Sequence, residues 1–383
     1  MCACFFTYFL FVGTHSPYLS LYLSDAGLSV GQIGLILSLA PATRLVGPMF
    51  WGGLADRTGA RIVVMRICAL IAMLSLLALG WAGGSFVWVA VFATLLFLAN
   101  SGKVPINEAI ALEASGGVSA RYARMRLWGS VGFIVAVLGM APILESLGTK
   151  TLPWWLAGMM GAMFLVTWLV PDDARRTLPS GGARRESLIG LSLRDPKLLA
   201  FFASLFLMIY AHGAFYAFFS LFLEHHGYDK PAIGMLWALG VVAEIGVFYF
   251  ARPLFERYSP LALLGFSMVI AVLRFALVGI SDGSLMLIAL TQLMHAITFG
   301  VHHGATQALL HRWFDPSRQA SAQGLFSTVA YGMGGTLGGL GASALWVSWA
   351  PEAAFFGAAV AAALGALAVL ACARWSASER TRL

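Results

Sequence analysis

The residues of this chain that could do chemistry are few, and most lie where a charge is costly. Glu244 sits just past the middle of GMLWALGVVAEIGVFYF (234–250), a run otherwise apolar from end to end. Arg44, Lys103, Glu108 and Arg274 lie in similar runs, with Glu113 near the edge of one. A carboxylate there can load and unload a proton, because burial and a movable cation act on it in opposite senses. An arginine stays charged and can grip a carboxylate through two parallel hydrogen bonds. Arg274 could therefore hold either Glu244 or an acidic solute, and the competition would couple the two. The plainer alternative is a fixed ion pair that locks two helices.

A second set follows one helical face: Gln292, His295, Phe299, His302 or His303, then Thr306, at steps of three and four. A lone histidine on an apolar face is usually a hydrogen-bonded core residue. Three on one helix, aligned with Gln and Thr, favour the lining of a polar cavity. Asn100, Lys103 and Asn107 share another face, while Glu108 turns away toward Lys103 or Arg126. Structural pairing and substrate contact are both open for that cluster. His212 and Tyr216 stand one turn apart beside Phe215, Phe218 and Phe219. Such a set suits an aromatic ring, although phenylalanines are common in apolar helices.

The elements that must position these residues are long apolar helices. Of 383 residues 60% are hydrophobic and 11% charged, against about 25% charged in soluble domains. Continuous apolar runs near 4–23, 31–53, 61–82, 86–112, 126–145, 153–170, 198–223, 232–251, 260–280, 284–312, 321–346 and 351–373 each suffice to cross a bilayer, which takes about 20 residues. Their continuity excludes a barrel of alternating strands. The expected fold class is an all-α membrane protein with twelve transmembrane helices. On insertion scales a central charge costs about 2.5–3.5 kcal/mol, so the intramembrane charges are expected to face one another or a water-filled cavity.

The basic excess of +7 reports orientation. With the N-terminus in the cytoplasm, the inner loops and tail hold 19 of the 24 lysines and arginines, and the outer loops only Lys150 and Lys230. This is the positive-inside asymmetry, and it argues against a nucleic-acid partner. Cys2, Cys4, Cys68 and Cys372 lack metal or redox spacing and read as inert thiols. No signal peptide is visible. The chain opens almost within its first span, an opening that also fits a longer N-terminus. SGK at 101–103 lacks the upstream glycine of a phosphate loop, and no H-E-x-x-H or G-x-S-x-G occurs. An intramembrane enzyme and a non-transporting sensor are thereby disfavoured, and no metal or cofactor is expected.

The longest polar interval, 171–197, reads as a cytoplasmic linker between a bundle at 1–170 and a second at 198–383, the latter ending in a short cytoplasmic tail. The two are repeats. Residues 20–57 align without a gap to 220–257, with ten identities that include Gly27/Gly227, Gly34/Gly234 and Arg57/Arg257. Parallel repeats with a site near mid-membrane are one known transporter architecture. The same offset sets Arg44 against Glu244.

GGLADRTGAR (52–61) resembles the loop signature of the major facilitator superfamily: Gly52, Asp56, Arg57, Gly59 and Arg61 fit G-x-x-x-D-R-x-G-x-R, while Ala60 departs from the common basic residue. Its glycines allow a tight turn, and its Asp and Arg can pair with helix ends as a conformational latch. RLWGSVGFIV (126–135), HGAFYAFFSLFLEHHGY (212–228), LWALGVVAEIGVF (236–248) and QLMHAITFGVHHGA (292–305) resemble the 3-phenylpropionate permease branch of that superfamily. That branch is similar to the oligosaccharide:proton symporters.

The resemblance implies the major facilitator fold, two pseudo-symmetric six-helix bundles. It also implies a proton-coupling group of Glu, Arg and His on successive helices, here Glu244, Arg274, His295 and His303, with Glu108 a further proton candidate. Arg274, Arg44, Lys103, His212, Tyr216 and Gln292 are the expected substrate contacts. The expected protein is a monomeric inner-membrane proton symporter with both termini cytoplasmic, importing a small organic solute, foremost an aromatic carboxylate such as a phenylpropionate. A symporter for a neutral sugar or nucleoside, or a drug exporter, is the alternative.

Overall fold

The computed structural model describes residues 1–116, 118–170, 195–316 and 318–380, so most of the predicted linker at 171–197 lies outside the described residues. Every regular element among them is helical. Local chemistry sets the helix starts. Ser29 opens Val30–Thr43 with a reciprocal cap: its hydroxyl accepts the Gln32 N–H at 3.4 Å, and its own N–H donates to Gln32 Oε1 at 3.0 Å. Asp229 opens Lys230–Phe250 by accepting the Ala232 N–H at 2.8 Å. The turns before them use Gly27 and Gly227 at φ 87° and 81°, a conformation that favours glycine.

These correspondences extend the 200-residue offset well beyond the aligned stretch. Helices end at Asp25 and His225 and begin again at Val30 and Lys230. Phe86–Ala114 matches the run Leu285–Trp313, and Ser119–Leu147 matches the segments from Gln319 to Ser348. The match also reaches helix packing. A Cβ on Gly13 would lie 2.5 Å from the Phe133 carbonyl oxygen; one on Gly213 would lie 2.6 Å from the Gly339 nitrogen. At both crossings two backbones touch, the kind of contact that holds helices together when lipid supplies no hydrophobic drive between them.

One stability prediction follows from that packing. A Cβ at Gly338 would overlap the Tyr210 carbonyl oxygen, whereas Gly158 and Gly246 have open space beside them. Gly338→Ala is expected to cost about 1–3 kcal/mol and to lower the melting temperature in detergent. Gly158→Ala and Gly246→Ala should stay within about 0.5 kcal/mol of wild type.

The repeats differ in two places. The run predicted as one span at 31–53 is broken: Val30–Thr43 stops after Pro41, residues 44–46 turn, and Gly47–Thr58 restarts with Pro48 in its first turn. Proline lacks the N–H that would continue the ladder. Its counterpart Lys230–Phe250 runs unbroken past Glu244. In the second repeat, Leu285–His295 and His302–Trp313 flank a π-helical stretch, Ala296–Val301, and Gln319–Phe326 and Gly335–Ser348 flank another, Ser327–Gly334.

Ten helices among the described residues are long and apolar enough to cross a membrane. Large apolar side chains such as Phe50, Leu95, Val135, Phe248 and Leu367 face outward on them, a surface suited to lipid. Cys2–Asp25 is not among the ten, and it turns Thr7, Thr14 and Ser20 inward. The glycine-rich segments from Gln319 to Ser348 also fall outside the ten.

The helices group into two compact units. The first holds the described residues up to Val170 together with Phe219–Ala238, the second those from Asp195 to Phe218 and from Leu239 onward. Within the first, Lys230 Nζ lies 3.6 Å from Glu145 Oε2, and the Tyr18 hydroxyl donates to the Val137 carbonyl at 2.7 Å.

Candidate functional site

The second unit buries one cation completely. Arg274 projects from Pro260–Gly279 and is 0% exposed. Its Nε donates to the Thr291 carbonyl at 2.9 Å, and its Nη1 reaches Thr298 Oγ1 at 3.2 Å and His212 Nε2 at 3.3 Å. The guanidinium lies 4.4 Å from the centre of the Phe215 ring and 5.1 Å from that of Phe275. Its hydrogen bonds thus go to neutral groups and not to Glu244. Nη2, the remaining nitrogen, has no hydrogen-bond partner among the described residues. A guanidinium nitrogen of this kind still has its donors to give.

Around it stand rings. Phe215 stacks on His295 with centroids 5.2 Å apart, His295 on Phe299 at 5.5 Å, and Phe299 on His303 at 6.4 Å. The π-helical turn between His295 and His302 carries this column. The sequence left His302 or His303 open as the next member of the stripe; the structure puts His303 in the stack. His302 turns instead to Ser267, with Nδ1 and Oγ 3.1 Å apart. Gln292 is buried beside them and donates to Thr291 Oγ1 at 3.1 Å. Tyr216 lies next to His212, ring to ring at 6.0 Å, and is 40% exposed.

Glu244 is half-buried. It packs against the bare backbone of Gly300, where an added Cβ would lie 3.6 Å from Glu244 Cγ. Gly300 belongs to the π-helical turn, two residues beyond the Thr298 that holds Arg274. The acid and the cation are therefore served by one turn of backbone without a direct hydrogen bond between them.

The first unit has charged clusters of its own. Glu108 pairs with Arg126, Oε1 to Nη1 at 2.9 Å, and accepts a hydrogen bond from the Tyr122 hydroxyl on its other oxygen. Of the two partners open to Glu108 in the sequence, the structure selects Arg126 over Lys103. Lys103 is 0% exposed, with Nζ 2.9 Å from Met160 Sδ and 5.9 Å from the centre of the Phe11 ring. Arg44 is the C-cap of Val30–Thr43, exposed at the break. In the loop at 52–61, Gly59 closes its helix at φ 65°, Asp56 and Arg57 are exposed, and Arg61 pairs with Glu113 at 3.5 Å. Gly52 has open space beside it.

Several contributors escaped the sequence: Thr298, the Thr291 carbonyl, Phe275 and Tyr122. A backbone acceptor has no side-chain signature, and a threonine in an apolar helix commonly bonds its own preceding turn.

Long apolar helices with an apolar outer surface are those of a multi-pass membrane protein, and its family and relatives make it a transporter and not an enzyme. The chain belongs to the MFS_1 like family, whose model matches residues 1–358. It is 29% identical over 340 residues to the "Probable 3-phenylpropionic acid transporter" of Escherichia coli (strain K12), covering 87% of this chain and 86% of the relative. To the maltose permease of Geobacillus stearothermophilus it is 26% identical over 384 residues, covering 98% and 94%. The crystal structure of the nucleoside transporter NupG superposes with a TM-score of 0.85 at 18% identity over 97% of both chains, a likeness of fold. The fold is that of the major facilitator transporters, twelve transmembrane helices in two pseudo-symmetric six-helix bundles.

Proposed function

We propose that this transporter imports a small organic carboxylate, foremost an aromatic acid such as 3-phenylpropionate, together with protons across the inner membrane. One observation carries the reading. The Nη2 of the wholly buried Arg274 lacks a hydrogen-bond partner among the described residues, and the rings of Phe215 and Phe275 lie beside its guanidinium. An aryl acid offers a carboxylate for the first feature and a ring for the second. The Escherichia coli relative's name supports the same class.

Glu244 is the group that discharges the proton, with His295, His303 and Glu108 next in line, while Arg44, Lys103, His212, Tyr216 and Gln292 complete the substrate contacts. Bodies at 1–170 and 198–383 alternate access, and Asp56, Arg57 and Arg61 latch one state. The chain works as a monomer with both termini in the cytoplasm, on the side to which its arginines are biased.

A second reading, symport of a neutral sugar, is favoured by the likeness to the maltose permease. Counterflow in proteoliposomes separates the two. Labelled 3-phenylpropionate should exchange against itself, with its amide, maltose and uridine at background. Counterflow of maltose or uridine without counterflow of the acid would establish the neutral-solute reading instead.

A further inference from the structure

The bond between Arg274 and His212 fixes a proton. His212 is 0% exposed on Pro196–His225. Its Nδ1 lies 2.9 Å from the Met208 carbonyl one turn back, and its Nε2 lies 3.3 Å from Arg274 Nη1. A carbonyl can only accept, so Nδ1 bears the hydrogen. A guanidinium can only donate, so Nε2 presents its lone pair. The two bonds together admit a single state, a neutral imidazole with its proton on Nδ1. Thr298 shares the task, taking Nη1 at 3.2 Å while its oxygen lies 3.5 Å from the same Nε2.

The charged and titratable groups facing this imidazole are few. Pro260–Gly279 brings Arg274, and the rings of Phe275 and Phe299 pack beside it. The run from Leu285 to Trp313 brings His295 at 5.8 Å and, further off, His302. Its own helix brings Tyr216, and Gly335–Ser348, which crosses at Gly213, has no titratable residue. No carboxylate forms an ion pair with it among the described residues. A proton added at Nε2 would remove the acceptor of Arg274 and set two cations 3.3 Å apart. An anion between them resolves the conflict, since both nitrogens then donate to it.

Resting on the carboxylate reading above, we propose that His212 takes up a proton at Nε2 as the substrate carboxylate binds, so that Arg274 and the imidazolium hold the anion jointly. The proton comes from the buffered solution and forms an N–H bond at Nε2. Entering together with the anion it makes binding electroneutral, so the loaded site keeps the single positive charge of the empty one. Glu244 serves the later step in which the proton leaves. His212 is thus a substrate-binding group and also the positioning residue of Arg274 in the empty site.

The linkage is measurable with 3-phenylpropionate as probe. Titration calorimetry in buffers of different ionisation enthalpy should show uptake approaching one proton per acid bound by wild type. Affinity should tighten by up to tenfold per unit fall in pH over about pH 8 to 5. His212→Gln keeps an acceptor for Arg274 but cannot be charged, so it should bind with less than a twofold change over that range. Glu244→Gln should retain the proton uptake. On wild type alone, nitrogen-15 spectra should show His212 protonated on Nδ1 when empty and on both nitrogens when loaded, a readout independent of whether the variant folds. Equal proton uptake by wild type and His212→Gln, or an Nε2-protonated empty state, overturns the proposal while leaving the carboxylate site intact. Failure of the acid to bind wild type at any pH overturns the carboxylate reading itself and the proposal with it.

Discussion

Arg274→Gln is expected to weaken binding of an aromatic acid by about ten- to a hundredfold and to leave its amide within about twofold. The magnitude follows from the bonds at stake, since hydrogen bonds to a charged group contribute about 1.5–3 kcal/mol each. The direction follows from the site: Nη2 is the one nitrogen of a fully buried guanidinium without a partner among the described residues. Arg274→Lys should restore only part of the affinity. An ammonium keeps the charge but lacks the planar fork that reaches Thr291, Thr298 and an anion at once. Equilibrium binding of acid and amide to the three proteins in detergent is the measurement. Equal weakening of acid and amide by Arg274→Gln would remove the carboxylate clamp and leave Arg274 a structural cation.

Glu244→Gln is expected to abolish uphill uptake driven by a pH gradient while exchange between equal pools continues. The substitution preserves shape and fixes the neutral state, and it retains the stem whose Cγ lies beside Gly300. Exchange needs only that the loaded protein cross; net accumulation needs the proton to leave. Proteoliposomes with an imposed pH gradient, compared with equilibrium exchange in the same vesicles, test both halves. Accumulation at the wild-type rate would take Glu244 out of the mechanism and pass the role to His295 or Glu108.

Much of the fold is legible in the chain because lipid demands it: every span must be apolar and hydrogen-bonded within itself. The offset of 200, first visible in Gly27/Gly227, proves to be written through the helix caps at Ser29 and Asp229 and the crossings at Gly13 and Gly213. The residues of the site were legible for the same reason. Arg274, His212, His295 and Glu244 are conspicuous by polarity in apolar runs, and the structure joins the first three in one cluster of rings. Their connections were not legible. Helix order suggests Glu244 for Arg274, but bonds to Thr298 and to a bare carbonyl depend on how the helices rotate against each other. The break at Arg44 was also hidden, since prolines such as Pro17 and Pro105 sit inside helices here without breaking them.

The π-helical turn at Ala296–Val301 has a further geometric consequence. Each such turn holds one residue more than an α-turn needs. Were it to tighten to α-helical pitch, every residue on one side would rotate by about 100° and advance by about 1.5 Å relative to the other. His303 would leave the face of Phe299, and Gly300 would carry its contact with Glu244 to another side of the helix. Two windings of one helix would then correspond to two alignments of its imidazoles.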